Sequence, residues 1–188
     1  MKAEGIQLIR YDELSPHIIA MRLIKPGSRV LSAGCGIGRE VEFLDKELKC
    51  KVIAIDNDEK YLRESKKRNP KVVHKLANMS EYSEKESYDY VVCLWNTINY
   101  SIKLEKKKKF IKRAYENLKP GGKLIITSSD IFSHWRAIFH NIKYREMYFY
   151  FPSQVSKWFK DSGFAVEKIK IGKRNLTQLI VASKPVKN

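Results

Sequence analysis

Between a short apolar run, Val30-Leu31-Ser32-Ala33, and a helix-periodic stretch that begins at Arg39, the chain places three glycines in five residues: Gly34-Cys35-Gly36-Ile37-Gly38. Glycine has no Cβ, so a strand-to-helix turn of this kind lets backbone N–H groups approach a nucleotide-like ligand at a helix N-terminus. The next apolar run, Lys51-Val52-Ile53-Ala54-Ile55, ends on Asp56, where an α/β sheet that binds nucleotides places a ribose-binding acid. Spacing separates the candidate cofactors. A dinucleotide fingerprint requires Gly-x-Gly-x-x-Gly, but here the third glycine arrives one position early and Arg39 and Glu40 follow it, which argues against a nicotinamide-dependent oxidoreductase.

From Arg29 onward, β-rich runs alternate with charged, helix-periodic stretches, the pattern of βαβ units laid into a mostly parallel sheet. Strands are predicted at 30–33, 51–55, 71–76, 88–94 and 123–128, and helices at 39–48, 59–68 after the Asp58 N-cap, and 104–118. A further helix runs from Pro152 to near Gly163, and 164–171 with 176–183 reads as a closing hairpin. In the third helix Ile111, Ala114, Tyr115 and Leu118 form a buried stripe, and Lys106, Lys107, Lys108 and Lys109 are placed outside the core. No repeat or linker divides the sequence, so residues 1–188 are read as one domain, with 1–28 as an N-terminal helical cap and 131–152 as an insert.

The 37 Lys and Arg against 21 Asp and Glu give a net charge of +16, which fits either a polyanion-binding surface or a solvated basic exterior. Cys35, Cys50 and Cys93 are odd in number, lie in or beside apolar runs and form no CxxC pair, so they read as buried, reduced thiols with no metal site. With no long apolar leader and no stretch of about 18 uncharged residues, the expectation is a cytoplasmic chain without a membrane partner.

The segment 30–38 resembles the first motif of class I S-adenosylmethionine-dependent methyltransferases. Residues 52–56 are similar to that family's second strand, and Leu118-Lys119-Pro120-Gly121-Gly122-Lys123-Leu124 to its passage into strand five. Tyr150-Phe151-Pro152-Ser153 and Ser162-Gly163-Phe164 are similar to its C-terminal region, so the likeness covers roughly residues 10–185. The resemblance implies a Rossmann-like, three-layer αβα sandwich with a mostly parallel seven-stranded sheet and an antiparallel C-terminal strand. It implies S-adenosylmethionine as cofactor, S-adenosylhomocysteine as its product, and no metal. Gly34, Cys35, Gly36 and Gly38 would approach the methionine and ribose portions. Asp56, with Asn57 beside it, would accept from the ribose hydroxyls. Asn78 would face the adenine amino group, unless it is an ordinary turn residue, and the Met79 N–H a ring nitrogen. Ser32 departs from the pattern: family members commonly carry an acid there that helps to hold the cofactor's amino group. The resemblance then shifts that contact to backbone carbonyls around Leu94 and Trp95, or to water.

Methyl transfer from a sulfonium is an in-line displacement whose donor is already activated, so the protein mainly aligns the reactants, and a base is needed only where the acceptor must lose a proton. Candidates for catalytic groups are Tyr11, Asn96, His134 and His140. Tyr11 either closes over the cofactor or packs its helix, and Asn96 and Thr97 either position a nucleophile or cap a helix. His134 and His140 lie in the aromatic, basic insert at 131–152, read as a substrate lid in which Trp135, Phe139 and Ile142 pack together. His17 reads as a helix-surface residue. The acceptor is expected to be a small molecule, with RNA methylation or a non-catalytic methyltransferase-like binding subunit as alternatives.

Overall fold

The computed structural model describes residues 16–100, 103–129, 152–171 and 177–186. Strands β1 (Arg29–Ala33), β2 (Lys51–Asp56), β3 (Val73–Leu76), β4 (Tyr88–Cys93), β5 (Leu118–Ser129), β6 (Ala165–Ile171) and β7 (Thr177–Ser183) form one sheet. Its order is β3-β2-β1-β4-β5-β7-β6, with β7 antiparallel to both neighbours and the other pairings parallel. The helices are α1 (Pro16–Arg22), α2 (Arg39–Lys46), α3 (Glu59–Arg68), α4 (Leu104–Asn117) and α5 (Pro152–Asp161). The expected seven-stranded αβα architecture is thus the observed one, closing hairpin pairing included.

Alternation along the strands explains the layers. In β1, Val30 joins Ile18, Met21, Val41 and Leu44 from α1 and α2, whereas Leu31 and Ala33 join Phe110, Ile111 and Ala114 of α4 and Val155 and Phe159 of α5. Successive side chains of a strand point to opposite faces, so a central strand covered on both sides must be apolar throughout. β4 fits this, with Tyr90, Val91, Val92 and Cys93 all buried, while edge strand β3 exposes Val73 and Leu76. All three cysteines are buried free thiols.

Three expectations need correction. His17 is not on a helix surface: it is 9% exposed and its ring stacks on Trp95 at 4.3 Å. Lys107 is not outside the core. It is fully buried because 107, 110, 111 and 114 share one face of α4, and burial lowers its ammonium pKa to about 8. Pro120-Gly121-Gly122 does not precede strand five but lies within β5, where the register against β4 shifts between Tyr88 and Tyr90. Gly121, at φ +78, there donates its N–H to the Lys184 carbonyl at 2.8 Å.

Strand order reverses between β1 and β4, which in open α/β sheets is where ligands lie outside the carboxyl ends of the strands. The glycine loop, the end of β2 and the segment after β4 all emerge there.

Candidate functional site

Asp56 ends β2 with its side chain turned into the glycine loop. One carboxylate oxygen accepts the Gly36 N–H at 2.7 Å and the other the Asp58 N–H at 2.9 Å. The loop is also tied to β2 by the N–H groups of Gly34 and Cys35, which both donate to the Ile55 carbonyl. Gly34, Gly36 and Gly38 all have positive φ, between +51 and +79, a region that side chains with a Cβ rarely adopt. At Gly36 a Cβ would meet nothing within 4 Å, so here the backbone angle requires glycine and the space beyond is open.

That space is a cleft of about 490 Å³, within the range of small-molecule sites. Among the residues expected at a cofactor, Gly34, Gly36, Asp56, Asn57, Asn78 and Met79 line it together. Asp58, Tyr61, Ala77, Thr97, Tyr100 and Lys106 also line it; Thr97 and Tyr100 belong to the segment after strand four that the sequence reading placed at this crevice, whereas Tyr61 and Lys106 were not placed there. Tyr61 and Tyr100 are each 50% exposed at its edge. The Asn78 side-chain oxygen accepts from the Ser80 N–H and hydroxyl at 2.9 and 2.8 Å, so Asn78 forms a turn while still facing the cleft.

The other expected residues lie behind this wall. Cys35 is buried, and burial raises its thiol pKa well above the ordinary range, which keeps it protonated. Gly38 packs against α3, where its carbonyl accepts from Asn69 Nδ2 at 3.2 Å. The Leu94 carbonyl accepts from the Thr97 hydroxyl at 2.8 Å and the Thr97 N–H at 3.1 Å. Asn96 turns away, its amide 3.4 Å from the Thr177 hydroxyl. Tyr11, His134, His140 and the insert around them lie outside the described residues.

Behind Gly34 sits a buried polar cluster. Glu40, in the first turn of α2, is 2% exposed; one carboxylate oxygen accepts the Ser32 hydroxyl at 2.6 Å and the other the Trp95 indole N–H at 3.0 Å. Burial pushes the Glu40 carboxyl up to about 7. Trp95, at φ +57, also donates its backbone N–H to His17 Nδ1 at 3.2 Å. Burial and the nearby Arg39 charge bring His17 down to about 4, so its ring is neutral at pH 7. The sequence did show an acid two residues after Gly38; its contact with Ser32, eight residues earlier, is a product of folding.

Residues 30–122 match a family described as a methyltransferase domain. The carboxy-S-adenosyl-L-methionine synthase of Trichodesmium erythraeum is 28% identical over 109 residues, 55% of this chain and 43% of that protein. The chain therefore matches less than half the length of that relative. Among solved structures, a Pyrococcus horikoshii protein aligns with a TM-score of 0.78 at 19% identity, over 95% of this chain and 92% of that one. A SAM-dependent methyltransferase from Thermotoga maritima, described as a possible histamine N-methyltransferase, aligns at 0.73 with 20% identity, over 96% and 93%. The magnesium protoporphyrin IX methyltransferase of Synechocystis, solved with bound SAM, aligns at 0.72 with 16% identity, over 98% and 85%. Identities this low carry the fold.

Proposed function

We propose that this chain, whose residues 30–122 match a methyltransferase domain, is a class I S-adenosylmethionine-dependent methyltransferase that transfers the methyl group of S-adenosylmethionine to a small-molecule acceptor. The observation that carries the cofactor reading is the Asp56 carboxylate, held beside the Gly36 N–H at the end of β2 and lining a cleft between the glycine loop and the turn after β4. Its lining suits a nucleoside: a carboxylate to accept from a ribose diol, glycine backbone without side-chain obstruction, and Asn78 with buried Met79 for a base.

The cofactor supplies a methyl group on a positively charged sulfur, so no protein nucleophile is required. The chain's part is to bind and align. Asp56 fixes the loop and accepts from the ribose. Gly34 and Gly36 let the backbone close on the ligand, and Thr97 packs against Gly34, its hydroxyl 3.3 Å from the Gly34 carbonyl. Alignment of this kind accounts for a large share of the acceleration in bimolecular transfers. Tyr100 and Lys106, both exposed where they line the cleft, are placed to meet an acceptor.

One observation favours the RNA alternative: α4 exposes Lys106, Lys108, Lys109 and Lys112 next to the same cleft, a basic row of the kind that meets phosphates. Radiolabelled S-adenosylmethionine offered with a deproteinised small-molecule extract and, separately, with total RNA decides between them. Label is expected in the small-molecule fraction. Label in RNA alone would overturn the acceptor assignment, and binding without transfer to either would favour a non-catalytic binding subunit.

A further inference from the structure

We infer that Glu40 is the acid that holds the ammonium group of the cofactor's methionyl portion, taking over from α2 the position that Ser32 leaves uncharged on β1. This rests on the S-adenosylmethionine reading of the cleft. The geometry begins with Ser32, whose hydroxyl donates to the Glu40 carboxylate at 2.6 Å. A residue at the end of β1 too short to carry the charge thus places the charge of its neighbour.

Glu40 is 2% exposed, and among the described residues no ion pair neutralises it. Its two hydrogen bonds come from neutral donors, Ser32 and Trp95. Arg39, the adjacent cation, lies over the Trp95 ring at 5.5 Å instead. A buried carboxylate without a counter-ion is costly unless a cation reaches it, and a ligand ammonium would be such a cation.

Position supports the same conclusion. Ser32 is two residues before Gly34, and Trp95 is two residues after the end of β4, so the carboxylate lies between the carboxyl ends of the two central strands. A ligand whose ribose meets Asp56, and whose chain then crosses Gly34 toward β4, directs its amino-acid end to that place. Glu40 is buried behind the cleft lining, so an ammonium would reach it by taking the place of the Trp95 indole N–H on its carboxylate.

Calorimetric titration of wild type and Glu40→Gln with S-adenosylhomocysteine and with 5′-methylthioadenosine tests the assignment, since the second ligand has the nucleoside and lacks the amino acid. Glutamine keeps the shape and one acceptor oxygen but loses the charge. We expect the variant to bind S-adenosylhomocysteine about 10- to 100-fold more weakly and methylthioadenosine within about twofold of wild type. Partial recovery of S-adenosylhomocysteine binding in Ser32→Asp/Glu40→Gln would support an ammonium contact, because the acid is then restored on β1. Equal losses for both ligands, or no loss for either, overturn the assignment while leaving the cofactor reading intact. Wild-type protein that binds neither ligand overturns both.

Discussion

Asp56→Ala is expected to weaken S-adenosylhomocysteine binding at least about 100-fold, the largest single-residue effect on affinity in this site. The carboxylate has two tasks there. It receives the Gly36 and Asp58 N–H groups at 2.7 and 2.9 Å, which sets the glycine loop, and it faces the cleft where a ribose would lie. Alanine removes both, leaving two donors unsatisfied and the ligand diol without its acceptor. Hydrogen bonds to charged groups are each worth about 1.5–3 kcal/mol, and loss of two or more supports the stated factor. Asp56→Asn should fall between, since it retains one acceptor oxygen. Calorimetry on protein checked for folding by circular dichroism gives the answer, and an alanine variant within about fivefold of wild type would remove Asp56 from the binding site.

The second large effect falls on stability. Gly38→Ala should cost about 2–4 kcal/mol, whereas Gly36→Ala, in the same loop, should cost about 1 kcal/mol. Both have positive φ, +79 and +51, so both pay a backbone penalty. They differ in their surroundings. A Cβ at Gly38 would lie 2.2 Å from the Ser65 hydroxyl and 2.7 Å from the Asn69 amide nitrogen, while one at Gly36 meets nothing within 4 Å. Neither neighbour yields easily: the Ser65 hydroxyl is paired with His74 Nε2 at 2.8 Å, and the Asn69 amide donates to the Gly38 carbonyl. Separation of α2 from α3 is the foreseeable response. Urea denaturation of both variants measures the difference, and equal costs would contradict the packing argument.

These contrasts show how far the sequence could be read. The β1–loop–α2 unit and the Asp56 end of β2 were legible because glycines at fixed spacing and an apolar run closed by an acid have few alternative explanations. Strands β4 and β7 were legible from their apolar continuity. Lys107 shows where such reading fails: positions 107, 110, 111 and 114 share a face, but a lysine within a run of lysines is read by its charge before its place on the helix. His17 failed similarly, since a polar residue on an amphipathic helix suggests solvent until Trp95, far along the chain, supplies a ring to stack on. The chain could not show that Glu40 reaches Ser32, because that contact depends on the angle at which α2 leaves Gly38. Six residues named in advance for a cofactor, from Gly34 to Met79, line one cleft together, but Tyr61 and Lys106 belong to generic polar stretches with no motif to single them out.

Whether the cleft takes S-adenosylmethionine and not a dinucleotide is most directly settled by parallel calorimetric titrations of the wild-type protein with S-adenosylhomocysteine and NADH. A glycine loop without the third glycine of the dinucleotide fingerprint, clamped by Asp56 beside a cleft of about 490 Å³, predicts saturable one-to-one binding of the first and no measurable heat with the second. Saturable NADH binding, or the absence of any S-adenosylhomocysteine binding, would contradict the account.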